Sequence, residues 1–477
     1  MDKLDYKKKD REFYQPKASP GLVDMPPMNF LLAEGSGAPA DAAYQKTVQA
    51  LYALTFTIKM SKMSGMQPEG YFEYVVPPLE SLWWCDGGAL DFQRPREEWR
   101  WISMIRQPEF ITPEVFEWAL EECSRKKRLQ RELHQVFSRY GYEDIETPGF
   151  EYFEVFSNEV GTIPSKDLYK FFDREGNTLV LRPDFTPSVS RACATYFDPE
   201  KGPVRLCYTG NTFINNSSYR GQMKENTQMG VEHMGDDSAA ADAEILAMTV
   251  ECLKAAGLTE FQVSVGQVDY YKSLLAEADL EPEIEEHLRE LISQKNYFGV
   301  EELLKGQNLG DNLSKAFAEL PQMFGSAEVL EKAKKLTSNP EALSAVKRLE
   351  EIYEILKVYG CEKYIAFDFG MLSKFRYYTG IIFQAYTYGT GEPLIKGGRY
   401  NELMKHFGKP ASSIGFAIVV DNLMLALSRQ KLTVPSGDKT IVITYDPGNL
   451  KKAIQEAMEL RNKGKKVALC PAKEEQD

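Results

Sequence analysis

Apolar and polar positions recur along the chain with two different periods, and the changes between them set out the elements. MNFLLAEG (28–35), GYFEYVVPP (70–78) and EWRWISMIR (98–106) are rich in aromatic and branched residues and predict strands. Between the first two, DAAYQKTVQALYALTFTIKM (41–60) repeats at helical spacing and predicts an amphipathic helix. From about residue 121 the pattern changes to one long charged helix, EECSRKKRLQRELHQVFSRYG, ending at Gly141. Strands are then predicted at TLVLRP (178–183), RLCYTGNTF (205–213), EFQVSVGQV (260–268), KYIAFDFGM (363–371) and YYTGIIFQAYTYG (377–389). A helix is predicted over SAAADAEILAMTVECLKAAG (238–257), and residues 270–358, dense in Glu, Lys and Leu, predict a helical subdomain. The end reads as strand, helix, strand, a single βαβ fragment that cannot cover both faces of a parallel sheet.

These elements divide into three units: 1–120, 121–432 and 433–477, the last a truncated α/β segment. All five tryptophans fall within the first 118 residues, which separates the first unit from the rest. At 477 residues the chain is long enough for two to four domains and several buried cores.

Composition narrows the function. Hydrophobic residues at 43% and charged residues at 27% are those of a globular protein, and no run reaches the length of a membrane helix. The charged start MDKLDYKKKDREFY lacks the apolar core of a secretory signal, so a cytoplasmic location is expected. The seven cysteines are scattered and never form a CxxC pair, which predicts reduced packing residues. With four histidines, none at metal-ligand spacing, no metal is expected. A net charge of −13 argues against a chain that grips nucleic acid along its length.

Candidate chemistry is spread over four segments: LRPDFTPS (181–188), QMGVE (228–232), FRYYTG (375–380) and IKGGRYNEL (395–403). Strand alternation puts Gln228, Gly230 and Glu232 on one face. Two carboxylates (Asp184, Glu232), an amide (Gln228) and two phenols (Tyr378, Tyr400) suit a small ligand carrying an ammonium and a ring or hydrogen-bonding side chain. Read from spacing alone, the same residues also fit ordinary polarity on an open sheet.

Taken together and in this order, residues 123–430 resemble the catalytic core of class II aminoacyl-tRNA synthetases, the histidine-specific ones in particular. The likeness rests on the charged helix and Pro148, the hairpin around TGNTFINNSSYR, SSIGFAIVVDNLMLAL, YYTGIIF and GGRY. It implies an α+β fold: an antiparallel sheet with flanking helices and a helical insertion, and a homodimer formed through the first motif. It also implies a histidine pocket made by Asp184, Thr186, Gln228, Glu232, Tyr378, Gly398 and Tyr400, with Asp184 standing where the family has a glutamate.

Adenylate formation forces a carboxylate against the α-phosphate of ATP, so such enzymes aim arginines at the developing charge. The resemblance places those arginines where this chain has Ile214, Ser373 and Asn422. Asn216 likewise replaces the hairpin glutamate, while Arg182, Arg220, Lys224 and Arg399 remain as cations that could attract an anion. Losing one such stabiliser costs on the order of 10²- to 10³-fold in rate, so aminoacylation is expected to be absent.

A kept amino-acid pocket without ATP chemistry is similar to the synthetase-like regulatory subunits of short-form ATP phosphoribosyltransferase, over LYKFFDREGNTLVLRPDFTPSVSRA and GMLSKFRYYTGIIFQAYTYGTGEPLIKGGRY. That resemblance implies no catalysis and no cofactor of its own, assembly with the catalytic subunit of ATP phosphoribosyltransferase, and control of histidine biosynthesis by histidine as effector.

The first unit resembles half of a GyrI-like small-molecule-binding domain through GLVDMPPMNFLLAEG, MQPEGYFEYVVPPLESLWW and REEWRWISMIRQPEFITPEVFEWA. It implies a pocket for a hydrophobic cation at Glu73, Glu80, Trp83 and Trp101. The alternative readings are therefore a cation-binding protein on a synthetase-like scaffold, or tryptophans that simply pack a core. An active histidine-tRNA ligase is opposed by the three missing arginines.

Overall fold

A computed structural model describes residues 3–15, 23–64, 67–156, 163–216, 223–372, 378–434, 441–445, 448–463, 465 and 467–471. Its centre is a nine-stranded sheet. From one edge the strands are Phe324–Gly325, Ile365–Asp368, Gln262–Gln267, Ile381–Tyr386, Ile395–Arg399, Ser413–Val419, Glu225–Met234, Val204–Phe213 and Glu143–Asp144. Neighbours run antiparallel except at two places, 262–267 beside 365–368 and 143–144 beside 204–213.

Strand alternation decides which residues meet which layer. Met229 and Val231 face the helical side, where they join Leu133, Val136 and Phe137 of the helix Pro113–Arg139 and Ile245 and Leu246 of the helix Ala239–Ala255. The helices expected over 270–358 are present from Val268–Ala278 to Pro340–Tyr359 and bury Leu288, Val300, Phe317 and Ile352 in that same core. On the opposite side of the sheet, Phe185, Tyr208, Leu206 and Met234 form a smaller cluster.

The long charged helix begins earlier than its pattern predicts. Thr112 caps it, its Oγ1 accepting the Val115 N–H at 3.4 Å, and Pro113 occupies the first turn, so the helix spans Pro113–Arg139 and runs through residue 120. It ends two residues before Gly141, whose φ of 77° suits glycine.

In the first unit the strands Asn29–Ser36, Trp99–Gln107, Leu79–Cys85 and Gly88–Ala89 form one antiparallel sheet. The helix Ala42–Met60 packs on it. The expected strand at 70–78 is displaced to Leu79–Cys85; Pro77 and Pro78 supply no N–H to a ladder, and 70–78 contributes only a bridge between Tyr74 and Leu4. This unit docks on the long helix, with Thr57 Oγ1 and Cys123 Sγ 3.0 Å apart. At the end of the chain, Ile441–Tyr445 and Val467–Pro471 pair in parallel beside the helix Leu450–Asn462.

A buried ion network ties the sheet to its helices. Arg399, 4% exposed, donates through Nε and a terminal nitrogen to Asp242 at 2.9 and 2.6 Å, and Arg348 donates to the other carboxylate oxygen at 2.8 Å. Removing one partner of such a pair strands a buried charge. Asp242→Ala is therefore expected to lower unfolding stability by about 3–5 kcal/mol in a denaturant titration. The doubly apolar exchange Asp242→Leu with Arg399→Met should cost less than Asp242→Ala alone.

Candidate functional site

The site forms where the sheet loses its side chains. Cross-strand register aligns Glu232, Gly415, Gly398 and Ile382 in one row, and Gly230, Ala417, Lys396 and Gln384 in the next. Glycine is required there by space: a Cβ on Gly415 would lie 2.1 Å from Glu232 Oε2, and one on Gly230 would lie 2.3 Å from the Tyr208 hydroxyl. The result is a cavity of about 900 Å³ with a floor of backbone.

Glu232 sits at the bottom, 1% exposed. Thr186 Oγ1 donates to its Oε1 at 2.7 Å, and the Tyr400 hydroxyl donates to Oε2. Burial pushes its carboxyl up to about 8; the Tyr400 and Thr186 hydrogen bonds oppose that rise and the nearby Asp184 adds to it. Tyr400 is held by its backbone, whose N–H donates to the Ser413 carbonyl at 2.8 Å, and it directly follows the anchored Arg399.

Asp184 is partly buried just before the helix Thr186–Tyr196; burial raises its carboxyl, while the Phe185 N–H donates to it at 2.7 Å. Among the described residues, the buried Oε1 of Gln228 has no hydrogen-bond partner, and neither has the Tyr208 hydroxyl. Tyr378 completes the wall and packs over Gly398, where a Cβ would fall 2.8 Å from its ring. The seven residues expected to form one pocket therefore come together: Gln228 and Glu232 from one strand, Gly398 from another with Tyr400 just past its end, Tyr378 just ahead of the strand Ile381–Tyr386, and Asp184 and Thr186 at a helix start.

The far half of the same cavity holds Ile214 and Asn422 together with Met223, Met424 and Leu425. Asn422 Nδ2 donates to the Pro393 carbonyl at 3.3 Å, and Asp421 beside it is taken by Lys126 and the Thr227 N–H, both at 2.6 Å. Ser373 and Arg220 lie outside the described residues. Two cations suggested as anion attractors are otherwise engaged. Arg182 donates to the Asn211 and Thr147 carbonyls at 2.8 Å and stacks 4.0 Å over Phe185, and Arg399 is committed to Asp242. Lys224 is exposed on the hairpin.

The four residues proposed for a second pocket in the first unit do not converge. Glu73 is bridged by Lys59 at 3.0 Å and Lys62 at 2.9 Å, which hold its carboxyl down at about 2. Trp83 and Trp101 are cross-strand partners facing the helix, where Tyr44 packs against both rings at 5.1 and 5.0 Å. Glu80, three positions from Trp83, faces the other side of the sheet. Trp101 lies across Gly35, where a Cβ would be 2.4 Å from its ring, so core packing accounts for it.

Sequence reasoning missed Gly415, Tyr208, Lys396 and Met60. Gly415 had a signal, a glycine inside the strand pattern SIGFAIV. Met60 had none: it closes the cavity from the first unit, an arrangement that only docking creates.

Comparison with known proteins places this geometry. The family model described as histidyl-tRNA synthetase matches residues 114–423. Histidyl-tRNA synthetase from Nostoc shares the fold, with a TM-score of 0.59 at 19% identity over 73% of this chain and 83% of that one. The fold and the glycine-floored site thus define a class II synthetase-like protein of the histidyl type. The curated relatives are more specific. ATP phosphoribosyltransferase regulatory subunits from Acetivibrio thermocellus and Clostridium acetobutylicum are 39% and 37% identical, over 74% and 76% of this chain and 85% and 90% of theirs. A solved structure from Bacillus halodurans, titled an ATP phosphoribosyltransferase regulatory subunit/histidyl-tRNA synthetase, aligns at 32% identity and a TM-score of 0.62, over 77% of this chain and 92% of that one. The chain belongs to the family of ATP phosphoribosyltransferase regulatory subunits.

The state of Glu232 has a pH signature. Its carboxyl is raised in the folded protein, so its contribution to stability is fully present below the ordinary carboxylate range and is lost as pH rises through about 8. Thermal melts of the ligand-free chain are expected to fall between pH 5 and pH 8, and Glu232→Gln should flatten that fall. Parallel slopes for the two proteins would contradict a raised Glu232.

Proposed function

We propose that this chain is the histidine-sensing, non-catalytic regulatory subunit of ATP phosphoribosyltransferase, acting on a separate catalytic subunit in the first step of histidine biosynthesis. The supporting observation is the pair of acceptors facing one cavity, the buried Glu232 carboxyl and the Gln228 Oε1, which has no partner among the described residues. A buried acceptor without a donor is costly, and a ligand donor removes that cost at Gln228, while Glu232, whose oxygens already accept from Thr186 and Tyr400, offers its remaining lone pairs to a ring N–H or ammonium. Histidine carries both groups on one small frame. Its ring reaches the Glu232–Tyr400 floor, and its ammonium lies toward Gln228 and Asp184. With Ile214 and Asn422 in place of cations, the far half of the cavity lacks at those two positions the donors that would replace a triphosphate's hydration.

Control of a partner requires that histidine bind one state of the assembly more tightly than another. The helix Pro113–Arg139, which contains the first synthetase-like motif, is the surface through which two copies of the chain associate in this reading.

Calorimetric titration tests the proposal. Histidine is expected to bind the chain, alone or with the catalytic subunit, and Glu232→Ala to weaken it about 10- to 100-fold, the loss of a charged hydrogen bond. ATP should give no heat with this chain alone. Absence of histidine binding in both preparations, or ATP-dependent pyrophosphate exchange by the chain, would overturn it.

A further inference from the structure

An amino-acid effector also brings a carboxylate, and the described cavity is poorly suited to one. Asp184, Glu232, Glu392 and Asp421 all line it. An anion placed among them without a cation is repelled and desolvated at once. Of the cations on the lining, Arg125 pairs with Glu122 at 3.2 Å and donates to the Leu432 carbonyl, and Arg429 donates to the Gly389 carbonyl. Lys396 is different: it rises from the sheet floor, and among the described residues it forms no ion pair or hydrogen bond.

Register explains where Lys396 points. It lies opposite Ala417, which lies opposite Gly230, so its neighbours on the pocket face are a methyl group and a hydrogen atom. It stands two strands across and two residues along from Glu232, about 12 Å between Cα positions by standard sheet spacings. Both side chains rise from the same face of the sheet and line the one cavity, a separation on the scale of one amino-acid molecule.

We propose that Lys396 is the carboxylate-binding residue of the effector pocket and makes it selective for an α-amino acid over the corresponding amine. The inference rests on the histidine reading above. Lys396 takes a role left without a cation by Ile214 and Asn422, and it does so from the floor, where its charge holds a bound carboxylate without any phosphate geometry.

The test is calorimetry on the full chain with two probes, histidine and histamine, which differ by the carboxylate alone. Wild type is expected to prefer histidine. Lys396→Met should weaken histidine about 10- to 100-fold and leave histamine unchanged, and Lys396→Arg should restore most of the preference. Lys396 is exposed, so neither exchange disturbs the core. Unchanged histidine affinity in Lys396→Met, or an equal fall for both probes, overturns the assignment while leaving the sensor reading intact. A wild-type chain that binds neither probe, alone or with the catalytic subunit, overturns both.

Discussion

A carboxyl group buried in the middle of a β-sheet is the constraint around which this protein is arranged. Glu232 reaches almost no solvent, and its two oxygens are met by hydroxyls from a helix start (Thr186) and from the end of a strand two positions across the sheet (Tyr400). Such a group is tolerated only where its partners are fixed in advance. Fixing them requires the neighbouring strands to approach without side chains, which Gly415, Gly398 and Gly230 permit, and requires Tyr400 to leave its strand at a set angle, which the Arg399–Asp242 anchor one residue earlier secures. The pocket and the scaffold are held by the same contacts.

Binding and catalysis place different demands on such a cavity. To hold a small amino acid, a few oriented acceptors and donors suffice; to activate it with ATP, cations must converge on charge that appears only in the transition state. In the proposed reading the near half, with Glu232, Gln228, Asp184 and Tyr400, supplies the first set. In the far half Ile214, Met223, Met424 and Leu425 leave an apolar wall, and Asp421, which could have held a cation for phosphate, is consumed by Lys126 and the Thr227 backbone. One cavity thus joins a polar end to a largely apolar one, the division that the proposed sensor role requires.

The first unit is joined to this arrangement by packing as well as by the chain. Its helix Ala42–Met60 lies against the helix Pro113–Arg139, and Met60 borders the apolar end of the cavity. The tryptophans that suggested a pocket of their own serve that unit's core, since Trp83 and Trp101 pair beneath Tyr44 while Glu80 stands on the other face.

The sequence by itself determined most of the elements and which side chains share a strand face, because strand alternation, helix caps and motif order are local and survive in one dimension. QMGVE announces which side chains share a face, and GGRY announces a glycine gap beside a tyrosine. The strand at 79–85 was misplaced because two prolines ended a pattern whose ladder partners lay elsewhere. Arg182 and Arg399 looked free in the sequence and are engaged in the fold, whereas Lys396 looked ordinary and, among the described residues, forms no ion pair over the floor. Only the tertiary structure decided these roles, because whether a charge is spent or available depends on partners 35 or 157 positions away, and no local pattern records them.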